Sequence, residues 1–484
     1  MPAIARITLA PGLEISRVVT GLWQIADMER DGRVLDLDHA AHAMSPYIEA
    51  GFTSFDMADH YGSAELIAGK CRALGDPSRL QLFTKWVPKP GPVTAADVRI
   101  AVERALERLQ MPAIDLLQFH AWNYADPSWL DALFHLQELK RQGLIRHLGL
   151  TNVDAAHLRV ALTSGIEVVS NQVSCSLIDR RAAGKLAAVC AEFGVGLLAY
   201  GTVCGGWLSE KWLGKDEPAW ERDGTWSQMK YGRFIREAGG WAALQRVLGA
   251  ARDVADRHGV SLTNVATRFI LEQPGVAAVI VGARLGERAH LDDNQRLAAF
   301  ALTAGDRAHL EAAIATLTPI PGDCGDEYRR PPFLTASGDL SHHVETFPAP
   351  YEVRPGPNGT TKCFSGTPWE PVAGYSRATR AGSRIHVSGT TATHGSRLIG
   401  RADPAAQTHA VIDKISGALQ SLGGRLEDVV RTRVFVSNVA HWEAVSRAHG
   451  ERFAAIQPAN TLVEARLIGD EYLVEIEAEA ELHL

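Results

Sequence analysis

The chain has 484 residues, more than one ordinary domain holds, and its 46% apolar and 22% charged content is that of a folded globular protein, so two or three domains are expected. A net charge of -7 gives no support to a nucleic-acid or acidic-membrane partner, and no apolar run reaches the roughly 18 residues that a membrane span needs. Six cysteines without a CxxC pair or metal-ligand spacing, and a start Met1 to Arg6 without a secretion pattern, predict a reduced, cytoplasmic protein with no metal site.

In chain order, residues 4–19 predict a short hairpin turning at Pro11-Gly12, then a strand that ends around Val19 to Trp23. Thr53 to Ala58 reads as the next strand and breaks into a polar loop, which places Asp56 and Tyr61 at its C-terminal end. Leu80 to Trp86 finishes around Lys85, and Ile114 to His120 finishes on His120, so successive strands end in ionisable groups. Between these two, Thr94 and Asp97 form a capping-box signature, and Val98, Val102, Ala105, Leu106 and Leu109 recur at helical spacing. Asp126-Pro127 opens another helix and Gly143 closes it. Apolar runs at 147–150, 168–173, 197–200 and 276–281 continue the strand series. About eight strand-and-helix units predict an α/β fold of the (β/α)8 TIM-barrel type over residues 1–318. No GxGxxG follows a strand, which argues against a Rossmann site.

A phenol is a poor acid at neutral pH unless a nearby cation stabilises its phenolate. Lys85 is placed to supply that cation to Tyr61, Asp56 to keep the ammonium charged and oriented, and His120 to donate a hydrogen bond to a substrate carbonyl oxygen. Together they make a complete proton-donating site. Singly, each residue is more often part of an ordinary ion pair or a core histidine; the four in register carry the argument. The set resembles the aldo-keto reductase family, whose Asp, Tyr, Lys and His appear in this order and on these strands.

The resemblance covers the whole first region and implies reduction of an aldehyde or ketone with NADP. Leu148-Gly-Leu-Thr-Asn152 is similar to the family segment whose side chains grip the nicotinamide carboxamide, here Thr151 and Asn152, with Gln172 as the third partner. By the same resemblance Tyr200 stacks under the nicotinamide ring, Gly201 and Thr202 lie along the pyrophosphate, and Trp23 belongs to the cofactor-binding set. Arg284 and Asn294 match contacts to the adenosine end, although the spacing from Gly282 to Asn294 is longer than the family's and Leu285 stands where a serine is common. Arg284 and Arg288 offer charge to a 2′-phosphate, which favours NADP without excluding NAD.

Gly205 to Trp241 is a long connection rich in tryptophan, expected either as a lid or as a few helical turns packed on the barrel. After a second capping-box signature at Thr303 and Asp306, residues 319–371 are proline-rich and predict a linker or strap without a core of its own. His342-His343 within it lacks further ligands. Residues 372–484 predict two strands, a helix, a strand, a helix and two strands, a smaller α+β domain with helices on one face of a sheet.

That domain resembles the Rid (YjgF-like) imine deaminase family in Val387-Ser-Gly389, Leu422-Gly-Gly-Arg-Leu-Glu-Asp-Val429, Gln457-Pro-Ala-Asn-Thr461 and Val474-Glu-Ile-Glu-Ala478. The family forms trimers with clefts between subunits, which implies a homotrimer. Tyr375 and Glu475 match family cleft positions, whereas Asn460 stands where the family has the arginine that binds a substrate carboxylate. The sequence therefore reads as an NADP-dependent carbonyl reductase with a Rid-like domain. The alternatives are a bifunctional imine hydrolase and reductase, and a cofactor-sensing regulatory protein with little turnover.

Overall fold

The computed structural model describes residues 4–287, 290–335, 344 and 346–483, so Arg288 and the His342-His343 pair lie outside the described residues. A hairpin of β1 (Arg6–Ala10) and β2 (Leu13–Ser16) turns at Gly12, whose φ of +77° suits glycine. Eight parallel strands then close into a barrel: β3 (Val18–Gly21), β4 (Ser54–Asp56), β5 (Gln81–Trp86), β6 (Ile114–His120), β7 (Ile145–Thr151), β8 (Val168–Ser174), β9 (Gly196–Tyr200) and β10 (Val276–Gly282), the last pairing with β3. These strands are buried on both faces because one face fills the barrel and the other meets the helices. The helix Ala95–Leu109 shows the expected reciprocal cap, with Thr94 and Asp97 bonding each other's backbone N–H. The helix Ala304–Ile314 repeats it with Thr303 and Asp306.

The proline-rich stretch carries structure at both ends. Ile320, Cys324 and Leu334 pack into the barrel core, and a short helix, Asp326–Arg329, sits between them. Farther on, β11 (Glu352–Pro355) and β12 (Thr361–Phe364) join the sheet of the second domain. Prolines erase the period-two signal, yet an edge strand accepts them because its outer N–H needs no partner. With β13 (Ala378–Ala381), β14 (Arg384–Thr391), a small ribbon β15 (Thr393–His394) and β16 (Arg397–Leu398), then β17 (Val429–Val436), β18 (Ala459–Glu464) and β19 (Val474–Glu481), the large sheet runs β11-β12-β13-β14-β19-β17-β18. Helices Pro404–Ser421 and Trp442–Phe453 pack on it. No described helix is long and apolar enough to cross a membrane.

The two domains are docked. Helix Pro404–Ser421 lies against barrel helix Ala155–Thr163, close enough that a Cβ on Gly417 would fall 2.4 Å from the carbonyl oxygen of Ala125. Arg159 pairs with Asp403 at 2.7 Å, and Ser164 Oγ accepts from the Gly400 amide at 3.0 Å. At the centre, buried His157 bridges Asp154 of the barrel (2.7 Å from Nδ1) and Asp413 of the second domain (2.9 Å from Nε2), with Arg452 ion-paired to Asp413 at 2.7 Å and buried His409 nearby.

Burial disfavours the His157 imidazolium, but Asp154 and then Asp413 outweigh it and raise its pKa. Burial likewise opposes the charge on Asp413, but Arg452 and His157 hold that carboxyl below its usual range. A raised folded pKa gives stability that is full below the unfolded value of about 6.5 and is lost as pH climbs through the folded value. The contribution of the His157 bridge is therefore expected to be full below about pH 6.5 and to fall as pH rises past it, with His157→Gln removing that fall in calorimetric melts, while buried His409, whose pKa burial lowers, works the other way and loses its contribution as pH falls below about 6.5.

Candidate active site

The C-terminal ends of β4, β5, β6 and β8 deliver polar side chains into one buried network. Asp56 Oδ2 accepts from Lys85 Nζ at 2.6 Å, and Oδ1 accepts from Gln118 Nε2 at 2.9 Å and Gln172 Nε2 at 2.7 Å. Lys85 also donates to the Met57 carbonyl at 2.7 Å. Burial lowers the pKa of the Lys85 ammonium, and the Asp56 carboxylate opposes that shift. Tyr61 comes from the loop after β4, with Lys85 Nζ 4.9 Å from its ring centroid and Trp23 edge-on at 4.9 Å. His120 stands edge-on to Trp122 at 4.4 Å and to Tyr328 at 5.1 Å.

At the end of β9 the Tyr200 hydroxyl donates to Asn152 Oδ1 at 2.6 Å, and Asn152 itself takes a left-handed φ of 57°. Burial raises the Tyr200 pKa further than its neighbours do, so the phenol stays protonated. Thr151 Oγ1 donates to the Gln172 carbonyl at 3.1 Å. A single cavity of about 150 Å³ collects Asp56, Tyr61, Lys85, His120, Trp23, Thr151, Asn152, Gln172, Tyr200, Gly201 and Thr202. Gly201 and Gly205 contribute backbone to its lining. A Cβ on Gly201 (φ +74°) would fall 2.2 Å from the Tyr231 hydroxyl, and one on Gly205 (φ +63°) 2.8 Å from the Ser227 carbonyl. An acid-base cluster joined to glycine backbone in one cavity at the strand ends of a barrel is the arrangement in which such folds bind small molecules.

Arg284 and Asn294 do not line this cavity. Arg284 pairs with Asp27, and Glu287 lies 3.7 Å from it. Asn294 is buried in the helix Leu291–Arg296.

Several site residues escaped the sequence reading. Gln118 lies two residues before His120 and so shares its side of the strand, a signal that was available from alternation alone. The Gly205 to Trp241 connection forms the helix Trp226–Glu237, capped reciprocally by Thr225 and Gln228; Trp226, Ser227, Lys230 and Tyr231 line the cavity, and Trp23 Nε1 bonds Ser227 Oγ at 3.2 Å. It is thus both helical and a cover. Tyr328 enters from the proline-rich stretch, where Lys230 Nζ donates to its hydroxyl at 2.6 Å, and no local signal announced it.

In the second domain, Arg377 ties Tyr375 to Gly389, donating to the Tyr375 hydroxyl at 3.0 Å and to the Gly389 carbonyl at 2.6 Å. Glu475 sits against the same glycine, since a Cβ there would fall 2.1 Å from Glu475 Oε1. Asn460 is not with them. It pairs in register with Thr432 and bonds its hydroxyl at 2.9 Å, whereas Glu475 pairs with Phe435, an odd number of residues along β17, so within one chain Asn460 and Glu475 belong to opposite faces of the sheet. Tyr375 and Glu475 thus gather around Arg377 and Gly389, and Asn460 lies on the other face of the sheet.

Comparison with known proteins agrees with this architecture. Residues 17–315 match the model of the aldo/keto reductase family, and residues 367–482 match the model described as endoribonuclease L-PSP. Protein tas of Escherichia coli is 33% identical over 208 residues, 39% of this chain and 58% of that protein, so the match spans little more than half of that relative. An uncharacterized protein of Streptomyces coelicolor is 40% identical over 117 residues, 24% of this chain and 87% of that protein. In the solved structures, the glycerol dehydrogenase of Gluconobacter oxydans superposes with a TM-score of 0.50 at 22% identity, covering 66% of this chain and 97% of that one, a likeness of fold. Since the first model takes in more than half of the residues, and the barrel it describes is the one that holds the Asp56, Tyr61, Lys85 and His120 cluster, this protein belongs to the aldo/keto reductase family.

Proposed function

We propose that the barrel reduces an aldehyde or ketone to an alcohol with a reduced nicotinamide cofactor, NADPH in preference to NADH. The observation that carries this reading is the buried Lys85 ammonium held by Asp56 at 2.6 Å and standing 4.9 Å from the Tyr61 ring, in the same cavity as His120. When bound, the reduced nicotinamide supplies the hydride that the carbonyl carbon accepts. Tyr61 gives its phenolic proton to the carbonyl oxygen, and Lys85 stabilises the phenolate that remains. Asp56, itself held by Gln118 and Gln172, keeps the ammonium charged and aimed. His120 donates to the carbonyl oxygen and fixes its position.

Thr151, Asn152 and Gln172 would hold the carboxamide, Tyr200 the ring face, Gly201 and Thr202 the pyrophosphate, and Trp23 the wall that meets the cover helix at Trp226 and Ser227. Asn294 and Arg284 would reach the adenosine end; Arg284 must then share its charge between Asp27 and a 2′-phosphate. Arg284→Gln is expected to raise the Kd for NADPH about tenfold and that for NADH much less, read by cofactor fluorescence. Equal changes would remove Arg284 from the phosphate. Asn460 has no guanidinium with which to bind a carboxylate, which argues against hydrolysis of a 2-imino acid by the second domain.

A panel of aldehydes and ketones, followed by reduced-nicotinamide absorbance with NADPH and with NADH, tests the reading. Oxidation with at least one carbonyl is expected. Tight cofactor binding without oxidation by any of them would favour a sensing role instead.

A further inference from the structure

We propose that the C-terminal domain is a working part of the reductase site: through Asp413 and His157 it seats Tyr124 against Arg329, and Arg329 sets the spacing of the strand ends that carry His120 and Asn152. The inference rests on the reading of those two residues given above. Arg329, from the short helix Asp326–Arg329, donates through Nε at 3.0 Å, and also through Nη2, to the carbonyl of Ala121, the residue after His120. Its Nη1 donates to the carbonyl of Asn152 at 2.7 Å. One planar guanidinium thus spans the ends of β6 and β7, a geometry that the point charge of a lysine does not reproduce. The turn that delivers it admits glycine alone: Gly325 has φ +87°, and a Cβ there would fall 1.9 Å from the Asn152 carbonyl oxygen.

The guanidinium is seated in turn. Its Cζ lies 4.3 Å from the Tyr124 ring centroid, and the His157 ring stacks on the same phenol, with centroids 3.4 Å apart and planes 7° apart. His157 then reaches Asp413 at 2.9 Å, and Asp413 is ion-paired to Arg452 at 2.7 Å. Asp413 and Arg452 come from the two helices that cover the second domain's sheet. A chain of direct contacts therefore leads from the core of one domain to the backbone beside His120, where a displacement of about 1 Å is enough to cost up to a hundredfold in rate. Arg329 and Asp413 act here as positioning residues and touch neither substrate nor cofactor.

The test uses the full-length protein. Hydrogen exchange at 121–125 and 152–154 is measured in the wild type, Asp413→Asn, His157→Gln, Arg329→Lys and the Asp413→Asn plus Arg329→Lys double variant, alongside kcat and the Kd for NADPH. Faster exchange at both segments is expected in each single variant, with kcat lowered several-fold by Asp413→Asn and about tenfold by Arg329→Lys. The double variant is expected to be no worse than Arg329→Lys alone, because both changes break one path. Unchanged exchange in both Asp413→Asn and His157→Gln, or effects that multiply in the double variant, would overturn the coupling. His157→Gln decides the matter should Asp413→Asn fail to fold. A wild type that reduces no carbonyl would instead defeat the reductase reading, and the exchange arm would still judge the coupling.

Discussion

Tyr61→Phe is expected to lower kcat roughly a thousandfold, the range that loss of a positioned proton donor commands, while the Kd for NADPH stays within about twofold of wild type. The phenylalanine keeps the ring that packs edge-on to Trp23 at 4.9 Å and lies 4.9 Å from the Lys85 ammonium, so the wall of the cavity is preserved. Only the hydroxyl that carries the proton is removed. A variant that lost cofactor binding together with turnover would show Tyr61 to be a structural element of the pocket and would remove it from the chemistry.

The second large effect is expected at Lys85. Lys85→Met takes away the cation and leaves the Asp56 carboxylate 3% exposed, with only the Gln118 and Gln172 amides to satisfy it. Breaking a buried pair on one side costs about 3–5 kcal/mol, because a charge remains uncompensated in a poorly polarisable interior. Turnover should vanish and the urea midpoint should fall. Adding Asp56→Asn is expected to restore most of the lost stability, since the orphaned charge is gone, and to restore none of the activity. A single variant as stable as wild type would mean that the pair is solvated in solution; a double variant that regained turnover would mean that Lys85 has no part in proton donation.

The barrel was legible because its strands are short apolar runs between capped helices, and the reactive groups sit where such runs stop. Asp56, Lys85 and His120 lie on or at the ends of their own strands, so their convergence follows once the strands are laid parallel and closed. Tyr61 needed more, since it stands on a loop, and there the pattern of four residues together carried the identification. What remained hidden was supplied by distant chain. Tyr328 and Arg329 lie in a stretch whose prolines remove periodicity, and nothing nearby marks them as entering the cavity or bracing it. Lys230 belongs to a helix whose start, Thr225 to Gln228, did carry a capping signature that the tryptophan-rich composition obscured. The bridge from His157 to Asp413 joins residues far apart in the chain and in different domains, and no pattern within either domain encodes it. Asn460 illustrates the reverse case: the motif around it was legible, yet strand alternation places it on the sheet face away from Glu475.

The central claim is that a carbonyl carbon receives a hydride while Tyr61 protonates the oxygen. The most direct measurement is to incubate the full-length protein with NADPH deuterated at the transferable C4 position and a panel of aldehydes and ketones, and to analyse the products by mass spectrometry. The account predicts an alcohol bearing deuterium on the former carbonyl carbon and a hydroxyl proton that exchanges with solvent. Alcohol without carbon-bound deuterium, or no alcohol from any carbonyl with either NADPH or NADH, would contradict it.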